Sequence, residues 1–224
     1  MLGLALHTST TELGLLIRDF NPVDTINRHQ TWDLGRDLSS QLHVLLQEFL
    51  SPQRWHDLEF IVVCIGPGGF TGTRLGVATA RTLAQQLDIP LLGVSALAAV
   101  AHHRVTACET PGHNPGLGQL EQSAADIAVT MPAKRGAVYG AIYHWTGKTL
   151  LPKLKDLVLP ASEWTLKQTQ WSQPLLQVSL ESGTTLGHTT PSLLQLGYEQ
   201  LKTQTYPSWR GVTPFYGQHP VSQP

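Results

Sequence analysis

Leu58 to Ile65 is an almost unbroken apolar run rich in Ile and Val, and it limits the folds open to this chain more than any other stretch. Such a strand has no side for water. It must be covered on both faces, as in parallel sheets with helices packed above and below. Leu34, Leu38, Leu42, Leu45, Leu46 and Phe49 recur at helical spacing just before it, which predicts a helix over 34–50 with one apolar stripe. Ser51-Pro52 ends that helix. After the strand, the loop Gly66-Pro67-Gly68-Gly69-Phe70-Thr71-Gly72 opens a second predicted helix, over 71–87.

The flanking segments complete a pattern. Leu2–Leu6 and Leu13–Ile17, joined by the polar turn His7–Thr11, predict a hairpin. The turn signal Asn21-Pro22 precedes a third predicted strand over 23–29. A short extended segment follows over 90–94, and Ser95 is placed to N-cap a helix running to His102. The order strand, strand, strand, helix, strand, helix then recurs. Strands are predicted over 126–131, 137–143 and 149–158, a short helix over 162–168, a strand over 175–180 and a helix over 191–202. Residues 105–123 read as loop, and the Pro-bearing tail 209–224 as an extended, partly disordered end. Two copies of this order resemble the actin, Hsp70 and sugar-kinase (ASKHA) superfamily. The resemblance implies an α/β fold of two βββαβα halves, 1–103 and 104–224, facing each other across a nucleotide cleft.

Charge narrows the function classes. Fifteen Lys and Arg stand against sixteen Asp and Glu in 224 residues, a formal net charge of -1. A broad cationic surface for nucleic acid is excluded, because neutralising phosphates needs many basic side chains. No stretch is long and apolar enough for a membrane span, and the N-terminus lacks the basic region of a secretory signal. The expectation is a cytoplasmic protein. Of two cysteines, Cys64 sits in the apolar run and reads as a buried thiol, so no disulfide framework is expected. Ten histidines include no H-E-x-x-H pair, so neither a metal nor a cofactor is expected. Asp126, opening an apolar strand, reads as structural.

Two local features carry candidate function. In the glycine loop, Gly66, Gly68, Gly69 and Thr71 lie where a strand hands over to a helix. Thr71 is placed to cap that helix, and the free N–H groups of a first turn form a natural anion seat. A phosphate or carboxylate site and a ligand-free tight turn both fit. No Lys-Ser/Thr follows, so this is not a Walker A loop. Behind it, Gly72, Gly76, Ala80 and Ala84 fall four residues apart and form a ridge without side chains. Glycine inside a helix costs about 1 kcal/mol relative to alanine, so close packing must compensate. The ridge either packs inside its own fold or receives another subunit, with Arg74 and Arg81 on a neighbouring face.

The run from Gly66 to Leu97, GPGGFTGTRLGVATARTLAQQLDIPLLGVSAL, resembles the bacterial TsaB (YeaZ) family, whose members carry close variants of GPGSFTGLRIG followed by a helix and GVSTL. Leu4–Ser9, Ala133–Tyr139 and Val212–Tyr216 resemble further family segments. The resemblance implies a non-catalytic scaffold in making N6-threonylcarbamoyladenosine at position 37 of ANN-decoding tRNAs. It implies binding to a TsaD-type transferase paralogue, a TsaE-type ATPase and a second copy of the chain, with tRNA met only indirectly. The implied partner surface takes Leu38, Leu42, Leu45, Leu46 and Phe49 from the first helix. From the second it takes Gly72, Arg74, Gly76, Val77, Ala80, Arg81 and Ala84. On this reading Gly76→Leu abolishes pairing and leaves the monomer folded. Where the family often has Asp at the end of the first strand this chain has His7, and Met131 or an altered register replaces a second Asp. Imidazole and thioether are poor partners for magnesium, which argues against ATP hydrolysis. The alternative is a small actin-like ATPase or kinase acting through the glycine-rich loop. A peptidase has neither metal motif nor nucleophile elbow here.

Overall fold

A computed structural model describes residues 1–21, 26–106, 124–203 and 208–217. Contacts divide the chain into two compact units, Met1–Ala99 with Thr185–Phe215, and Val100–Thr184 with Tyr216–Pro224. The expected division at 103 therefore leaves the last helix on the other side of the boundary from the sheet it covers.

In the first unit the strands β1 (Leu2–His7), β2 (Glu12–Asp19), β3 (Asn27–Asp33), β4 (Phe60–Cys64) and β5 (Leu91–Val94) form one sheet in the order β3-β2-β1-β4-β5. β1–β2 and β2–β3 pair antiparallel, β1–β4 and β4–β5 parallel. Every residue of β1 and β4 is buried, as their composition requires. Alternation sends Leu4, Leu6, Ile61 and Val63 into a core with the stripe of α1 (Leu38–Leu50) and the inner face of α2 (Phe70–Leu87). The intervening Val62 meets α5 (Thr190–Thr203), where Gly197 sits so close that a Cβ would collide with the valine methyls. Phe20, at the end of β2, stacks on Tyr198 of that helix at 3.7 Å.

Three expectations need correction here. The third strand lies over 27–33 instead of 23–29, residues 22–25 being outside the described ones. Its sequence NRHQTWD has no apolar period, and only pairing with β2, from Glu12↔Asp33 to Arg18↔Asn27, defines it. The start of the predicted 34–50 helix is a single 3₁₀ turn over Gly35–Asp37. The start of the tail is fixed: Trp209–Gly211 forms a turn, Val212 is buried, and the Phe215 N–H donates to the Ile65 carbonyl at 2.7 Å. Ser95 does cap α3 (Ala96–Thr106), its Oγ accepting from the N–H groups of Leu97 and Ala98.

The second unit holds β6 (Ala125–Pro132), β7 (Ala137–Trp145), β8 (Leu150–Pro160) and β9 (Leu175–Ser179) in the order β8-β7-β6-β9. It repeats the first four strand positions of the other sheet, with β9 parallel to β6. Its core is small. Trp164 of α4 (Ala161–Thr169) lies 2 % exposed among Ala128 and Ile142, over Gly140. A Cβ on Gly140 would come within 2.8 Å of the indole ring. The indole N–H donates to Thr130 Oγ1 at 2.6 Å. Among the described residues no helix is long and apolar enough to cross a membrane. Cys64 is a buried thiol, and Cys108 lies outside the described residues.

Because one indole fills this core and hydrogen-bonds a half-buried hydroxyl, Trp164→Ala should destabilise the protein by about 3–5 kcal/mol. Chemical denaturation with intrinsic fluorescence would show it as a lower midpoint.

Candidate functional site

The hairpin turn after β1, the glycine loop and the start of α2 meet in the first unit. Gly66 takes φ +90°, a left-handed angle that glycine adopts without strain. The next glycines allow close approach. A Cβ on Gly68 would strike the Ser9 carbonyl, on Gly72 the Thr8 carbonyl, and on Gly76 the Thr8 hydroxyl. Hydrogen bonds stitch the same contact: Gly69 N–H donates to Ser9 O at 2.6 Å, and Thr8 Oγ1 to Gly72 O at 2.8 Å. Ser9 Oγ lies 3.1 Å from Cys64 Sγ.

This geometry explains the loop without a ligand. The Gly69 amide, one donor of the presumed anion seat, is engaged by Ser9. The helix starts at Phe70 with Gly69 as its N-cap, so Thr71 does not cap it; Thr73 Oγ1 instead donates to Gly69 O at 2.9 Å. Gly66 O accepts from Ala96 N–H. The loop fastens β1, β4, α2 and α3 together.

The partner surface is corrected in the same way. Leu38, Leu42, Leu46 and Phe49 are buried in the core of the first unit, as are Val77, Ala80 and Ala84. Gly76 is buried against Thr8, while Gly72 and Leu45 are half-buried. Arg81 is half-buried, its guanidinium 5.8 Å from the centre of the Trp209 ring. Arg74 alone of the twelve is fully exposed. The physical reason is that one stripe cannot both cover a sheet and face a partner. The outward faces carry other residues. Phe70 is 56 % exposed with the Arg74 guanidinium 4.2 Å above its ring, and Val44 is 51 % exposed. His43 of α1 lies 3.5 Å from the buried Thr79 of α2, so the two helices adjoin. The signal for Val44 was its position off the apolar stripe; Phe70 was visible only as part of the loop motif.

His7 has no exposed surface, and neither ring nitrogen has a hydrogen-bond partner. Burial, helped by His188, pushes its pKa down to about 3, so the ring is neutral. Met131 is half-buried on β6. Among the described residues no group of three His, Cys, Asp or Glu side chains comes together for a metal. Asp126 is buried and engaged by two donors, His144 Nδ1 at 2.6 Å and Trp171 Nε1 at 2.8 Å, in keeping with a structural role.

Comparison with known proteins adds the family. A family model described as TsaD, tRNA N6-adenosine threonylcarbamoyltransferase, matches residues 34–166. The tRNA threonylcarbamoyladenosine biosynthesis protein TsaB of Bacillus subtilis (strain 168) is 31 % identical over 209 residues, covering 91 % of this chain and 78 % of that protein. The chain belongs to the TsaB family. The TsaB protein of Escherichia coli (strain K12) is 26 % identical over 198 residues, covering 82 % of this chain and 77 % of that one. Among solved structures, YeaZ from Pseudomonas aeruginosa superposes with a TM-score of 0.71 at 21 % identity, over 96 % of this chain and all of that one. That likeness bears on the fold, which is the expected ASKHA-type α/β architecture.

Two outcomes test this packing. Gly76→Leu should unfold the first unit instead of merely blocking a partner, because its side chain would displace Thr8 from the end of β1; circular dichroism would report lost structure. His7 takes up a proton in the unfolded chain near pH 6.5 but in the folded one only near 3. The unfolded state therefore binds more protons in that window, and stability falls as pH drops through it. His7→Leu should flatten this fall in melting temperature relative to the parent.

Proposed function

We propose that this chain acts in the biosynthesis of threonylcarbamoyladenosine in tRNA, the process its TsaB relatives are named for, as a partner subunit without chemistry of its own. It pairs with a TsaD-type transferase, admits a TsaE-type ATPase, and pairs with itself when the transferase is absent. It meets tRNA only through that assembly, in the cytoplasm. One observation carries the reading: of two adjoining helices, α2 presents an exposed phenylalanine stacked by an arginine, and α1 an exposed Val44. Aromatic and arginine side chains are what protein interfaces use as anchors. Against an ATPase reading stand the Ser9-engaged amide of the glycine loop and the sealed, neutral imidazole at His7.

Phe70 projects into solvent, so Phe70→Ala should leave the melting temperature unchanged. It should weaken pairing with a TsaD-type protein by about 2 kcal/mol, roughly thirtyfold in Kd. Isothermal titration between the two proteins gives the number. Unaltered affinity would remove the surface from the interface. Full tRNA modification by the other subunits without this chain would end the proposal.

A further inference from the structure

The second unit contains a cavity of about 590 Å³ that the function above does not use. It lies where β6 and β9 begin and β7 ends, at the opposite end of the sheet from the 133–136 turn. Its polar lining is Asp126, His144, Lys153 and Gln173, with Leu175 and Leu176 among its apolar residues. The volume falls within the usual range for small-molecule sites, which combine an apolar wall with a few placed polar groups.

The chemistry of the lining is specific. Asp126 is 7 % exposed, and both its oxygens are taken: Oδ1 accepts from His144 Nδ1 and Oδ2 from Trp171 Nε1. The carboxylate is thus held from both sides. What it does is orient the imidazole. With Nδ1 held against the carboxylate, Nε2 is the ring nitrogen left to meet a ligand. Trp171, just after α4, pins the carboxylate from its other side, so the ring orientation is built from three separate segments. Lys153, on the exposed outer strand β8, adds a positive charge with no ion pair among the described residues. Gln173 supplies an amide that both donates and accepts.

We propose that this cavity binds a small phosphorylated molecule that carries a hydroxyl, of the sugar-phosphate class. A ligand hydroxyl hydrogen-bonds with His144 Nε2, Lys153 holds the phosphoryl oxygens, and Gln173 reads a second polar group. A purely apolar ligand leaves Nε2 and the ammonium without partners.

The test uses the intact chain, labelled with ¹⁵N in its histidine side chains, titrated near neutral pH with ribose 5-phosphate and, separately, with inorganic phosphate. The expected result is a saturable shift of the His144 Nε2 resonance with ribose 5-phosphate and a weaker one with phosphate. Lys153→Ala, a change at an exposed position that keeps the fold, should weaken binding about tenfold, as expected for one lost charge-assisted hydrogen bond. His144→Gln should abolish it, with the melting temperature read alongside. A His144 resonance that does not move, a shift that never saturates, or equal affinity in Lys153→Ala would overturn the proposal.

Discussion

The first unit depends on how closely α2 approaches the end of β1. Gly68, Gly72 and Gly76 each stand where a Cβ would strike Ser9 or Thr8. The helix can sit on the sheet only because those side chains are absent. Two hydrogen bonds across the same contact, from Gly69 N–H and Thr8 Oγ1, remove the polar groups that such closeness would otherwise strand. Cys64 and Ser9 lie behind it, and Gly66 O ties in α3. Mid-helix glycine is unfavourable on its own. Here the compensating gain is local and within the unit.

That packing determines what is left for a partner. A helix of this kind has one face for the sheet and one for solvent, and the ridge takes the first. The outward face of α2 falls to Phe70, Thr71, Arg74, Ala78 and Thr82. The same division holds on α1, where the leucine stripe is core and Val44 is exposed. A docking function and a packing function are therefore both compatible with these helices, on opposite faces of each.

His7 belongs to the interior of the first unit. At the end of β1, with no surface and no hydrogen-bond partner, it behaves as part of the core. Asp126, in the second unit, is the contrary case: a buried carboxylate fully satisfied by His144 and Trp171, neighbours far apart in sequence.

The order of strands and helices was legible from the chain alone, because apolar period and turn chemistry are local properties. So were the Ser95 cap, the buried thiol and the family motif at 66–97. Period fails where it is absent: β3 has no apolar alternation, and its limits come from pairing with β2. The tail looked free because prolines and glycines say nothing of a distant Ile65 carbonyl. A stripe or ridge read from sequence names the side of a helix that is apolar or narrow. It cannot say whether sheet or partner covers that side. Only tertiary packing decides this, since burial is a relation between segments distant in the chain, as Gly76 with Thr8 and Gly197 with Val62 show.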